Sequence, residues 1–100
     1  MKRMKINPKE IIVDKELWKF LDRQLVESLK KSLKRGEPIG NPIINKNKEL
    51  VAGKHRLKAY LELKYKEIEV DVIETTDKVE NLRTTLEENL QRRQHEELFL

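Results

Sequence analysis

Residues 49–63 read Glu49-Leu50-Val51-Ala52-Gly53-Lys54-His55-Arg56-Leu57-Lys58-Ala59-Tyr60-Leu61-Glu62-Leu63. The short apolar run through Ala52 has the character of a strand, and Gly53 closes it. Leu57, Tyr60, Leu61 and Lys64 then fall at helical spacing, which predicts a helix from Lys54 to Leu63. On the upstream side, Ile43-Ile44-Asn45 reads as a second strand, joined to the first by a hairpin turn at Asn47-Lys48. Downstream, Ile68, Val70 and Val72 alternate along Glu67 to Ile73, the pattern of a half-buried strand. Two strands, a helix and a further strand make this an α/β chain, with a small mixed sheet flanked by helices.

The remaining elements follow from caps and breakers. Proline restricts the residue before it, so Ile6-Asn7-Pro8 ends a short extended segment, and Ile11-Ile12-Val13 is expected to add another strand. Asp14 can cap a short helix over Lys15 to Phe20. Leu21, Leu25, Leu29 and Leu33 repeat every four residues in a longer helix that Gly36 stops. Glu37-Pro38-Ile39-Gly40-Asn41-Pro42 is a loop by every breaker signal. Thr76 and Asp77 are candidate N-caps for a last helix, with Glu80 completing an Asp-x-x-Glu box and Val79, Leu82, Leu86 and Leu90 forming its apolar stripe. That stripe runs into Leu98-Phe99-Leu100 with no cap, so residues 1–100 are expected to be a single domain and a fragment of a longer chain.

Composition narrows the function. The chain has 22 Lys/Arg, 18 Asp/Glu and no cysteine. Mean hydropathy is -0.77. Disulfides, thiol catalysis and cysteine-ligated zinc are excluded, and two separated histidines make a poor metal site. No apolar run approaches a membrane span, and Met1-Lys2-Arg3 does not lead into a signal peptide, so a cytoplasmic protein is expected. Charge is unevenly divided, with 18 basic against 8 acidic residues over 1–66 and 4 against 10 over 67–100. The basic part is either a solvated face or one that meets phosphates.

Gly53 allows close backbone approach, and the first turn of the following helix presents N–H groups that favour an anion. Arg56 can offer a bidentate fork to phosphate oxygens and His55 a second donor. The same residues also suit an ordinary strand-to-helix turn with solvated basic side chains. On the last helix, Thr85, Asn89, Arg92 and Glu96 lie on one edge of the apolar stripe, with Glu88 slightly further round. Glu88 and Asn89 have the oxygen ligands a divalent cation takes, and Arg92 can balance phosphate charge. Glu88–Arg92 and Arg92–Glu96 pairs at i,i+4 on a solvated helix are the other reading.

Taken together these motifs form a family pattern: Ile6-Asn7-Pro8; Leu25-x-x-x-Leu29-x-x-Ser32-Leu33-x-x-Gly36; Pro42-Ile43-Ile44; Val51-Ala52-Gly53-x-His55-Arg56-x-x-Ala59; Ile68-x-Val70; and Glu88-Asn89-Leu90-Gln91-Arg92 with Glu96. The chain resembles the N-terminal domain of ParB chromosome and plasmid partition proteins, within the ParB/sulfiredoxin-like fold. The resemblance implies a module that assembles and spreads a partition complex by protein–protein contact and self-association. DNA would be bound through regions outside it, at the nucleoid or on a plasmid. It further implies CTP with magnesium, with Gly53, His55, Arg56 and Arg92 at the phosphates, Gly36 and the loop before Pro42 near the base, and Glu88 and Asn89 toward the metal. No catalytic residue is implied, and any activity would be at most a slow CTPase.

One departure is informative. Where ParB proteins commonly have Gly-Glu-Arg-Arg, this chain has Gly53-Lys54-His55-Arg56, so a carboxylate has become a cation. Sulfiredoxins place a catalytic cysteine at the position of Lys54, so that activity is excluded. Two alternatives belong to other classes. One is a phosphotransferase like the ParB-like free-serine kinases, for which Glu10, Asp14 and Glu16 are candidate bases. The other is an interaction adaptor that has lost nucleotide binding. Trp18, Phe20 and Tyr60 are expected to be core residues, and His95 a surface histidine.

Overall fold

A computed structural model describes residues 2–74 of the chain. The elements are β1 (Lys2–Ile6), a single 3-10 turn (Pro8–Glu10), α1 (Lys15–Trp18), α2 (Arg23–Lys34), β2 (Ile43–Asn45), β3 (Leu50–Ala52), α3 (Lys54–Glu62) and β4 (Ile68–Ile73). The expected last helix, with Val79, Leu82, Leu86 and Leu90, lies outside the described residues.

Side-chain caps set the starts of the first helical segments. Asn7 accepts the Lys9 N–H at 3.0 Å and Asp14 the Glu16 N–H at 3.0 Å. Asp22 accepts from both Gln24 and Leu25, at 3.0 and 3.3 Å, so α2 begins at Arg23, two residues after the first leucine of the repeat. Two helices end in the same way. Gly36 (φ +78°) donates to Leu33 at 3.0 Å while Glu37 donates to Ser32 at 3.0 Å; Lys64 (φ +60°) and Tyr65 repeat the pattern after α3. In both, a left-handed residue satisfies the orphan carbonyls of the last turn.

The sheet has the order β1-β4-β2-β3. β4 is central: it runs antiparallel to β1, from Lys2↔Val72 to Ile6↔Ile68, and parallel to β2, from Ile43↔Asp71 to Asn45↔Ile73. Parallel neighbours need a crossover, and α3 supplies it. β2 and β3 form the expected hairpin, with a bulge that lets the register pass from Ile43↔Ala52 to Ile44↔Leu50. Asn45, 1% exposed, builds its turn. The Asn45 Oδ1 accepts from Asn47 and Glu49 N–H at 2.9 and 3.0 Å, and its Nδ2 donates to Glu49 Oε1 at 3.1 Å.

Ile6, Ile44, Leu50, Leu57, Ile68 and Val70 form the main core, with Trp18, Tyr60 and Val72 packed at its margin. The leucines of α2, Leu25, Leu29 and Leu33, are only half-buried; the fully buried residue of that helix is Val26. Two expectations are corrected. Ile11 to Val13 form no strand, because Ile12 alone bridges to Glu49. Phe20 is 79% exposed, since α1 stops at Trp18 and Phe20 falls in the turn before the Asp22 cap. Trp18 instead packs inward with the Lys58 ammonium 5.0 Å from its ring.

Candidate functional site

The site is built where β3 turns into α3. Gly53 adopts φ +91° and ψ 34°, left-handed backbone that an L-residue takes only with strain. A Cβ there would stand 3.1 Å from the Cα of Pro42, so glycine also permits the close approach of two backbones. Gly53 caps α3 with no side chain, and the first intrahelical bond is Leu57 N–H to Gly53 O at 2.9 Å. The N–H groups of Lys54, His55 and Arg56 therefore precede the helical ladder and carry the positive end of the helix dipole.

Arg56 reaches from this turn to the loop that follows α2. Its Nη1 donates to Asn41 O at 3.3 Å, and the guanidinium lies flat enough on Gly40 that a Cβ there would meet Cζ at 3.2 Å. One turn on, Tyr60 Oη donates to Gly40 O at 3.5 Å, and burial pushes this hydroxyl's pKa up. The loop is fixed from its far side as well. Asp71 N–H donates to Pro42 O at 3.0 Å, and Asn41 Nδ2 to Asp71 Oδ1 at 3.3 Å.

His55 faces a different element. Its Nε2 accepts the Asp22 backbone N–H at 3.0 Å, so in the neutral ring the proton sits on Nδ1 and any donation to an anion falls to that atom. Lys54 and Arg56 bring the formal charge of this turn.

Gly53, His55 and Arg56 thus come together at the first turn of α3. Gly36 stands at the other end of the loop, just past the Arg35 cap of α2, and a Cβ on it would meet nothing within 4 Å. Glu88, Asn89 and Arg92 lie outside the described residues. Among the described residues no three acidic or histidine side chains are grouped to hold a metal. Of the candidate bases, Asp14 is occupied as a cap and Glu16 pairs with Lys19 at 2.9 Å, while Glu10 belongs to the turn after β1. Asp22 was not singled out by the sequence as a site residue, and Gly40 and Asn41 entered only as part of the loop before Pro42. The available signal was glycine itself, since the chain has only three and all of them adopt positive φ around this site.

Residues 3–90 match the family described as the ParB N-terminal domain. The chain belongs to that family. A comparison with curated proteins returned no match. Among solved structures, this ParB N-terminal domain is similar to the C-terminally truncated chromosome-partitioning protein ParB from Caulobacter crescentus, complexed with CTP-gamma-S. The TM-score is 0.75 at 17% identity, over 91% of this chain and 54% of that one. It is also similar to two structures of a pNOB8-like ParB N-domain. One has TM-score 0.66 and 22% identity over 79% of this chain and 32% of that one. The other has TM-score 0.61 and 22% identity over 74% and 28%. At these identities the neighbours establish a common fold, the small mixed sheet with helices, and this domain spans about half or less of their length.

Proposed function

We propose that this domain is the nucleotide-responsive assembly module of a DNA partition protein, and that CTP is the nucleotide it takes. One observation carries the reading. The Arg56 guanidinium is laid over Gly40 at the N-terminal end of α3, beside the N–H groups of the helix's first turn. A phosphate there meets a preformed fork and a helix dipole together. Gly40 and Gly53 support the arrangement by letting the loop, the Arg56 side chain and the start of α3 approach one another closely.

In this reading Gly53 and Arg56 hold the phosphates, with the His55 ring and Arg92 beside them, and the loop from Gly36 to Pro42 borders the base. Glu88 and Asn89 would hold magnesium, which when bound neutralises phosphate charge. Lys54 adds a cation where the family commonly has a carboxylate, strengthening the attraction of this turn for anions. The structural relative bound to CTP-gamma-S supports the choice of nucleotide. Binding would serve association with further copies and with other partition proteins, and DNA contact would fall to other parts of the chain.

The test is calorimetric titration with CTP, ATP and ADP, each with magnesium, beside an Arg56→Ala variant. CTP-selective binding that is lost in Arg56→Ala is expected. Preference for ATP or ADP, with activity on free serine, would replace this reading by a phosphotransferase. A folded domain that binds none of the three would refute it and leave an interaction adaptor.

A further inference from the structure

His55 is drawn into the proposed site by its place in the chain, yet its ring Nε2 is engaged by another element. Its Nε2 accepts the backbone N–H of Asp22, 33 residues away in sequence, at 3.0 Å. Asp22 is the cap of α2, and its own carboxylate is already committed to the N–H groups of Gln24 and Leu25. The next residue, Arg23, reaches the opposite end of α3, where its guanidinium meets Glu62 at 2.6 and 3.0 Å. Consecutive residues at the start of α2 are therefore fastened to the first and last turns of α3. The fastening at the first turn is the His55 ring.

We infer that His55 is a positioning residue, which as the Nδ1–H tautomer holds the α1–α2 turn against the first turn of α3 and thereby fixes the orientation in which Arg56 and the turn's N–H groups are presented. The acceptor role is chemically demanding. A backbone donor leaves the ring nitrogen no proton of its own, so the tautomer is dictated by Asp22 and not by the ligand. The consequence for affinity rests on the nucleotide reading above; the contact and the tautomer do not.

The first measurement is a long-range nitrogen–proton correlation spectrum of the whole chain, with His55→Gln used to tell the His55 ring from that of His95. Protonated Nδ1 and bare Nε2 are expected, and the opposite tautomer would overturn the inference. The second compares His55→Ala with His55→Gln, whose Oε1 can replace Nε2 as acceptor. The Asp22 amide resonance should move in His55→Ala and stay in His55→Gln. CTP affinity should fall about tenfold in His55→Ala, the equivalent of one hydrogen bond, and recover at least about threefold in His55→Gln. If His55→Gln keeps the Asp22 resonance but binds as weakly as His55→Ala, the ring touches the nucleotide directly and the positioning role is wrong. If the native chain binds no nucleotide, the functional reading fails, while the tautomer and the Asp22 resonance still decide the role of His55.

Discussion

Replacing Glu62 by glutamine tests the fastening of α2 to α3 directly. Glu62 accepts from Arg23 Nη1 at 2.6 Å and Nη2 at 3.0 Å, and from Lys30 Nζ at 3.1 Å, with its side chain only 24% exposed. The hydrogen bond from Arg23 is the largest influence on its carboxyl pKa, which is held at about 2. Each tenfold in proton affinity is worth about 1.4 kcal/mol, so against an ordinary value of 4.5 the ion pairs contribute at most about 3 kcal/mol. Arg23 is 53% exposed and water screens its charge, which brings the expected contribution down to about 1–2 kcal/mol. The sign follows from the direction of the shift. A depressed carboxyl stabilises the fold fully above its unfolded value, and that stability drains away as pH falls from about 5 toward about 2.

The assay is chemical and thermal unfolding of the native chain and Glu62→Gln over that range. Near pH 7 the variant should melt lower by about 4–8 °C per kcal/mol lost, and the gap should close toward pH 2. A gap that stays constant with pH, or one of less than about 0.3 kcal/mol at neutrality, would refute the reasoning, since only a charge-dependent contact of this size behaves as described.

Three further outcomes are expected. Gly53→Ala and Gly40→Ala should each destabilise by about 1–3 kcal/mol from left-handed strain, with the collision against Pro42 added at Gly53 and displacement of the Arg56 guanidinium added at Gly40; unfolding reads the loss of stability in both variants and calorimetry the loss of binding. Asn45→Ala should cost about 2–3 kcal/mol, because it strands the Asn47 and Glu49 N–H groups at the hairpin, a loss read from urea midpoints. Lys64→Gly should stabilise by about 0.5–1 kcal/mol, since φ +60° there strains any residue with a Cβ, and a rise in melting temperature checks it.

Local chemistry was the legible part of the chain. The hairpin from Ile43 to Ala52, the stop at Gly36 and the turn at Gly53 each depend on residues within a few positions of one another, so sequence alone places them. The same holds for bringing Gly53, His55 and Arg56 into one turn. What escaped is tertiary. The packing of Arg56 on Gly40 depends on how a loop folds back over a helix, and the Asp22 N–H that donates to His55 lies 33 residues away in sequence. Phe20 and the leucines of α2 show a different limit. Apolar residue type announces affinity for a core, but a helix ending two residues early turns one ring outward, and the helix's rotation centres burial on Val26 instead of on the repeat.

The central place of β4 also dictates when this fold can form. β1 opens the chain, yet its neighbour in the sheet is β4, with Lys2 beside Val72. β2 likewise waits for β4, so a nascent chain that has reached only the end of α3 holds one orphan strand and a hairpin with nothing between them. Contacts this distant in sequence slow the search for the native arrangement and leave strand edges open meanwhile. Synthesis must run through Ile73 before the first five-residue strand of the protein has anywhere to go.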